Sequence, residues 1–192
     1  MSSIYRSKTK TKSTDLINRP QIFYHISLMK CYKRLRDPAL FAFLYLTATR
    51  ISECVKSIRK YDIDIVKMHG TKFMVIYNVK CLKRKKGNEA KRNIAINIEK
   101  EVEFIKLIYK WLDKLKEDDY IFDISRKHAY KIVRRWYDPA FPHYLRHLRL
   151  THLATNYGFN SADLRQFTGW SSDIPAAHYV HLNWKDVAKK MI

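Results

Sequence analysis

The chain has 192 residues, the length of one ordinary domain, and 46% of them are hydrophobic, so it can build a core and is not wholesale disordered. Lys and Arg number 38 against 18 Asp and Glu, a formal net charge of +20, which means self-repulsion in the free protein and strong attraction to a polyanion, nucleic acid first. No apolar run approaches the roughly 20 residues of a membrane-spanning helix, the opening MSSIYRSKTKTKSTD lacks the apolar centre of a secretory signal, and three cysteines without CxxC spacing fit reduced thiols in an intracellular compartment, not a disulfide frame or a zinc ribbon.

Residues 1–18 are polar and basic without periodicity and read as a flexible arm, either a solvated tail or a clamp on a nucleic-acid backbone. Residues 19–192 read as one domain. Ile22, Tyr24, Ile26, Leu28 and Met29 follow a helical rhythm up to a break near Asp37-Pro38. Ala39 to Ile58 reads as one buried helix, with Leu44, Leu46, Ile51 and Val55 on its apolar side. A β pattern follows: Ile63 to Val66, a turn at Gly70, then Phe73 to Val79, rich in β-branched and aromatic residues. The basic stretch Lys80 to Arg92 surrounds Gly87-Asn88, and Ile94 to Ile96 return as a strand, predicting a β-hairpin with a cationic tip. Val102, Ile105, Ile108, Leu112 and Leu115 predict an amphipathic helix ending at Glu117-Asp118-Asp119, three acids that read as a charged helix end and turn. Ser125 predicts an N-cap for a helix through Trp136. A helix from about His143 should stop before Gly158, and another should run from an N-cap at Ser161 to Gly169. A short helix carrying Tyr179 follows Asp173 and Pro175. The fold class is therefore α+β, mostly α-helical, with helices around a small antiparallel β-sheet.

Three stretches stand out for chemistry. They are Leu46-Thr-Ala-Thr-Arg50-Ile-Ser-Glu53; His143-Tyr-Leu-Arg146-His147; and Thr168-Gly169-Trp170, followed by Ala177-His-Tyr179-Val-His181. Singly each is weak: Arg50 reads as a surface charge, His143 as a satisfied helix-start histidine, and Tyr179 is one of 13 tyrosines. In order they resemble the tyrosine recombinase family, which includes the phage integrases. That family places an Arg in a T-G-x-R-x-S-E segment, a Lys on a β-hairpin, then H-x-L-R-H, G-[HW], and a Tyr about nine residues on. The resemblance runs from about Ala39 to His181, and Tyr179 lies nine residues after Trp170.

The resemblance implies site-specific DNA recombination, in which strands are cleaved and rejoined through a 3′-phosphotyrosine with no cofactor, metal or ATP. Tyr179 is then the nucleophile, and Arg50 and Arg146 hold the non-bridging phosphate oxygens through forked hydrogen bonds. His143 takes part in proton transfer or orients the phosphate. Trp170 stands where many relatives carry His; its indole N–H donates but cannot shuttle protons. A hairpin lysine protonates the leaving 5′-oxygen. Lys80 is favoured and Lys83 is the alternative, with Lys83, Arg84, Lys85 and Lys86 as DNA-binding charges. Glu53 orients Arg50, accepts from the lysine, or makes an ordinary helix ion pair. Ala48 replaces the family's Gly, a change that a helix tolerates.

Double-stranded DNA is the implied partner, with no membrane involved. A homo-oligomer forms on DNA if Val180, Leu182, Trp184, Val187 and Met191 dock on a neighbouring subunit; otherwise they cap their own core. The implied location is intracellular and DNA-associated, in the cytoplasm or nucleoid or, for a virus-encoded protein, in the host cell. Three rival readings remain. One is a metal site on His143, His147 and His152, which no acidic or Cys ligand joins. The others are a DNA-binding module that keeps the fold without the chemistry, and a DNA-relaxing enzyme of the type IB topoisomerase kind.

Overall fold

The computed structural model describes residues 18–30, 34–82, 90–136 and 141–180. The arm up to residue 17, the hairpin tip with Lys83, Arg84, Lys85 and Lys86, and the segment from His181 onward, with Leu182, Trp184, Val187 and Met191, lie outside them.

Helix α1 (Arg19–Lys30) buries Ile22 and Ile26, one turn apart, and leaves Tyr24 and Leu28 exposed. Helix α2 (Arg36–Thr47) starts with Asp37 and Pro38 in its first turn, where proline's missing N–H costs nothing. From Asp37 to Thr47 every side chain of α2 is buried, so this is a central helix and not an amphipathic surface one. Helix α4 (Val102–Leu112) buries Phe104, Ile105, Leu107, Ile108 and Leu112 against it. Helix α6 (Pro142–Tyr157) contributes Leu145, Leu148 and Leu153, and α5 (Arg126–Trp136) adds Ala129, Ile132 and Val133 to the same core.

The single long helix expected from Ala39 to Ile58 is two helices. Ala48 adopts a left-handed conformation, φ 48°, and ends α2; α3 (Ile51–Cys54) restarts after Arg50, which is extended. The break is local: the Thr47 hydroxyl caps the Phe43 carbonyl at 2.6 Å and also meets the Thr49 hydroxyl at 2.9 Å. Ala48 thus occupies a position that favours glycine for its backbone, and helix propensity is not what it tests.

Strands β1 (Ile63–Met68), β2 (Thr71–Lys80) and β3 (Lys91–Asn97) form an antiparallel sheet in that order, with β1 at one edge. Met74 and Ile76 of β2 face inward, but the register shifts between Ile76 and Val79, where Asn78 has φ 56° and its N–H bonds the Asn93 side chain at 3.1 Å. This bulge changes the parity of the strand, so Val79 faces inward and Lys80 faces out. On β3, Arg92, Ile94 and Ile96 point inward in strict alternation.

Smaller differences concern helix ends. Helix α4 stops at Leu112, with a turn through Leu115. Ser125 accepts the His128 N–H as expected of a cap. For α7 (Ser161–Thr168) the cap is Asn160, whose side chain accepts from Ala162 and Asp163; Ser161 is already the first helical residue. Gly158 and Gly169 end α6 and α7 in left-handed conformations. Helix α8 (Ile174–Ala177) finishes two residues before Tyr179.

Gly169 has a second constraint. A Cβ there would lie 2.3 Å from Cys81 Sγ and 3.0 Å from Arg92 Cδ, whereas one at Gly158, with the same φ of 68°, meets nothing within 4 Å. Gly158→Ala should therefore cost only the left-handed penalty, about 1–2 kcal/mol. Gly169→Ala should add overpacking of roughly 1–3 kcal/mol, a larger fall in urea midpoint at unchanged slope.

Candidate active site

The centre of the site is the Glu53 carboxylate, 0% exposed on α3. It accepts from the Arg50 backbone N–H at 2.9 Å, Arg50 Nη1 at 2.6 Å, Arg92 Nη2 at 3.1 Å and the Leu82 N–H at 3.3 Å. Arg146 Nη1 lies 4.0 Å away. Burial alone would raise this carboxyl, but the charge of Arg92 and the hydrogen bonds from Arg50 together hold it below its ordinary value. Its contacts with Arg50 form an i,i+3 ion pair that also holds the Arg50 guanidinium in place.

Arg92 reaches further. Its Nε bonds the Phe167 carbonyl at 3.0 Å and its Nη1 meets Cys81 Sγ at 3.4 Å. One guanidinium thus ties β3 to α3, to the end of β2 and to the last turn of α7, just ahead of Gly169 and Trp170. Arg50 Nη1 also touches the Leu82 carbonyl at 3.3 Å. The end of the hairpin strand is therefore held at the site. Sequence reasoning placed Arg92 in the basic hairpin; the inward alternation with Ile94 and Ile96 was the signal that it points in.

Arg146 is carried inward by α6 and is 2% exposed. Its Nη1 bonds the Ala48 carbonyl, an acceptor freed where the chain leaves α2. Its guanidinium carbon lies 5.4 Å from the centre of the Trp170 ring. Burial, and Arg50 beside it, lower its pKa to about 10, so it remains charged at neutral pH. Nη2 is buried and has no hydrogen-bond partner among the described residues. A charged donor left so is costly unless an anion completes it.

Trp170 stacks on Tyr179 with ring centres 6.0 Å apart and planes 18° from parallel. The Tyr179 hydroxyl is hydrogen-bonded to His147 Nδ1. Burial raises the phenol to about 12 although Arg146 pulls the other way. Burial and then Arg146 lower His147, which keeps its imidazole neutral at neutral pH. His143, an exposed residue one turn earlier, meets the His147 ring edge-on at 4.5 Å. The site thus brings together Arg50, Glu53, Arg146, Trp170 and Tyr179, with His143 at the rim. His147, quoted in the motif but given no role there, is the histidine on the phenol; spacing alone could not choose between two histidines four apart.

Lys80 is exposed on the outward face of β2, opposite Lys91 across the strand pair. It lies two residues before Leu82, which contacts Arg50, while Lys83 is outside the described residues. His152, the third member of the suggested metal cluster, bonds the Tyr45 hydroxyl at 2.9 Å. Among the described residues no group of three His, Cys, Asp or Glu is placed to hold a metal ion, and no helix is long and apolar enough to cross a membrane.

A second buried ion pair steadies α6. Arg149 bonds Glu101, the residue before α4, at 2.6 Å, and the Tyr157 hydroxyl donates to the same carboxylate.

The model of the phage integrase family matches residues 23–186. No curated protein matches the chain. Among solved structures, the chain is similar to a XerH site-specific recombinase bound to difH substrate in a pre-cleavage complex, with 16% identity, a TM-score of 0.62, and coverage of 92% of this chain and 53% of that one. It is similar to a XerA recombinase, with 19% identity, a TM-score of 0.61, and coverage of 91% and 63%. It is also similar to the Tn1549 transposon integrase in complex with transposon right-end DNA, with 16% identity, a TM-score of 0.63, and coverage of 96% and 66%. The chain thus spans between about half and two thirds of these structures. They share its arrangement of helices around a small antiparallel sheet.

Glu53→Gln would leave two buried arginines without their counter-charge and should cost about 3–5 kcal/mol at neutral pH. Because the folded carboxyl titrates below its ordinary value of 4.5, its contribution is complete above that pH and is lost as pH falls through the lowered value. The wild type should therefore lose stability more steeply in acid than the variant. Denaturant midpoints measured from pH 7 to pH 3 should converge.

Proposed function

Because the chain belongs to the phage integrase family, we propose that it breaks and rejoins double-stranded DNA in site-specific recombination, through a 3′-phosphotyrosine on Tyr179. The observation that carries the reading is the unpartnered Nη2 of buried Arg146, beside Trp170 and Tyr179. A phosphodiester oxygen is the acceptor that suits it. Arg50, already positioned by Glu53, supplies a second guanidinium to the same phosphate as charge builds up in the transition state.

In this mechanism the Tyr179 oxygen attacks phosphorus, the P–O5′ bond breaks, and the 5′-oxygen takes a proton from a hairpin lysine, Lys80 before Lys83. Trp170 packs the phenol and contributes a donor, not a base. His143, at the rim, orients the phosphate. The phosphotyrosine keeps the energy of the broken bond, so a new 5′-hydroxyl can reverse the step without ATP. Support for DNA as the partner comes from the net charge of +20 and from the DNA complexes among the similar structures. The same proposal includes assembly of copies on DNA through residues after Tyr179, action inside the cell that holds the target DNA, and the arm as an added backbone contact to the domain that begins near residue 19.

A duplex nicked close to the cleavage site should trap the wild-type chain as a covalent adduct, and peptide mapping should find the nucleotide on Tyr179. Tyr179→Phe should give none while still shifting the duplex on a gel. Shifts without any adduct from the wild type would reduce the protein to a binding module; relaxation of a supercoiled plasmid without strand exchange would make it a relaxing enzyme. If six or more phosphates are contacted, affinity should fall roughly a thousandfold or more between 50 and 200 mM salt. Deletion after His181 should abolish oligomers on DNA and spare the folded monomer.

A further inference from the structure

We infer that His147 is the general base that takes the proton from Tyr179. The inference rests on the proposed cleavage reaction and assigns the one step that Trp170 cannot perform. Four observations meet on this residue. Its Nδ1 is hydrogen-bonded to the Tyr179 hydroxyl, the atom that must lose a proton. Trp170, stacked on the phenol ring, has a donor only. His143 packs edge-on against the His147 ring. Half-buried beside Arg146, the imidazole is kept neutral and free to accept.

The bond's direction follows from acidity. A phenol, even one pushed up to about 12, is a stronger acid than a neutral imidazole N–H, so the phenol donates and Nδ1 accepts. His147 is then the tautomer with its hydrogen on Nε2.

Arg146 gives the base its timing. In the free protein its charge weakens His147 as a base. When a phosphate binds the open Nη2, the anion offsets that charge and the imidazolium becomes easier to form. Basicity at Nδ1 therefore rises when the scissile phosphate is in place. The Tyr179 O–H bond breaks and its proton moves to His147 Nδ1. The phenolate electron pair forms the new P–O bond. The P–O5′ pair leaves on the 5′-oxygen, which is protonated by the hairpin lysine. On rejoining, the 5′-hydroxyl returns its proton to the lysine and the departing phenolate recovers its own from His147. Charge and protons balance with no further reagent.

The test measures the rate of covalent adduct formation on a nicked duplex and on the same duplex with sulfur replacing the bridging 5′-oxygen, a leaving group that needs no proton. His147→Asn, which keeps an acceptor near Nδ1 but cannot take a proton, should slow both substrates by about a hundredfold or more. Lys80→Ala or Lys83→Ala, whichever removes the acid, should be slow only with oxygen. Added imidazole should restore part of the His147→Ala rate. A His147→Asn rate within about twofold of wild type on both duplexes overturns the assignment, as does a defect that the sulfur substrate erases, since that would place His147 on the leaving-group side. No adduct from the wild-type chain would instead overturn the cleavage reaction, and this role with it. If His147→Asn is unfolded by circular dichroism, imidazole rescue of a folded His147→Ala decides: rescue supports the base, and its absence overturns it.

Discussion

A carboxylate with no access to water must be matched by positive charge, and around Glu53 that requirement organises the molecule. Its partners come from the start of α3, the residues just past β2, the start of β3 and, at the edge of ion-pair distance, α6. Helix α3, the β2–β3 hairpin and α6 are well separated in sequence, so the charge is satisfied only when helices and sheet are brought together. A buried ion pair is weak evidence for stability in itself, because desolvation consumes much of the attraction. Its value here is specificity: a misplaced hairpin would strand Glu53 without Arg92, a state far more costly than a loosely packed apolar contact.

The second consequence is that the guanidinium groups at the site have different freedoms. Arg92 is used up by Glu53, Cys81 and the Phe167 carbonyl. Arg50 is positioned by Glu53 yet keeps part of its fork exposed, and Arg146 retains a buried donor. The protein thus separates a saturated arginine from one left partly exposed and one with a buried donor unused. In the pair Arg149–Glu101, farther along α6, the carboxylate accepts from both Arg149 and Tyr157 while Arg149 Nε is left buried without a partner among the described residues; the pair steadies the helix that presents Arg146 and His147.

Much of this was legible in the chain itself. Apolar spacing located α4, the glycines at 158 and 169 marked the ends of α6 and α7, and the ordered motifs named Arg50, Arg146, Trp170 and Tyr179 before any of them could be seen to meet. The parts that were hidden share a cause. Ala48 carries no breaker signature, because alanine is a strong helix former and the turn it makes is imposed by Thr47, Thr49 and the packing around them. The bulge at Asn78 lies in a smooth β-rich run, and nothing in a period-two pattern announces an extra residue. Arg92 looked like one more charge in a cationic stretch, since burial of a charge depends on a partner 39 positions away. The choice of His147 over His143 depends on where the chain after α7 returns, which is a property of tertiary packing and not of helix spacing.

The stacking of Tyr179 on Trp170 has a meaning beyond adhesion. A phenol on an open loop explores many orientations, and a reaction that needs one of them loses the rest as activation entropy. With one face against an indole and the hydroxyl tied to an imidazole, the ring has little left to search, and that loss is settled during folding. In the proposed reaction, Tyr179 would then meet a phosphate as though present at an effective concentration far above any that free phenol could reach in water. The tryptophan takes no proton, yet it converts a side chain into a positioned reagent.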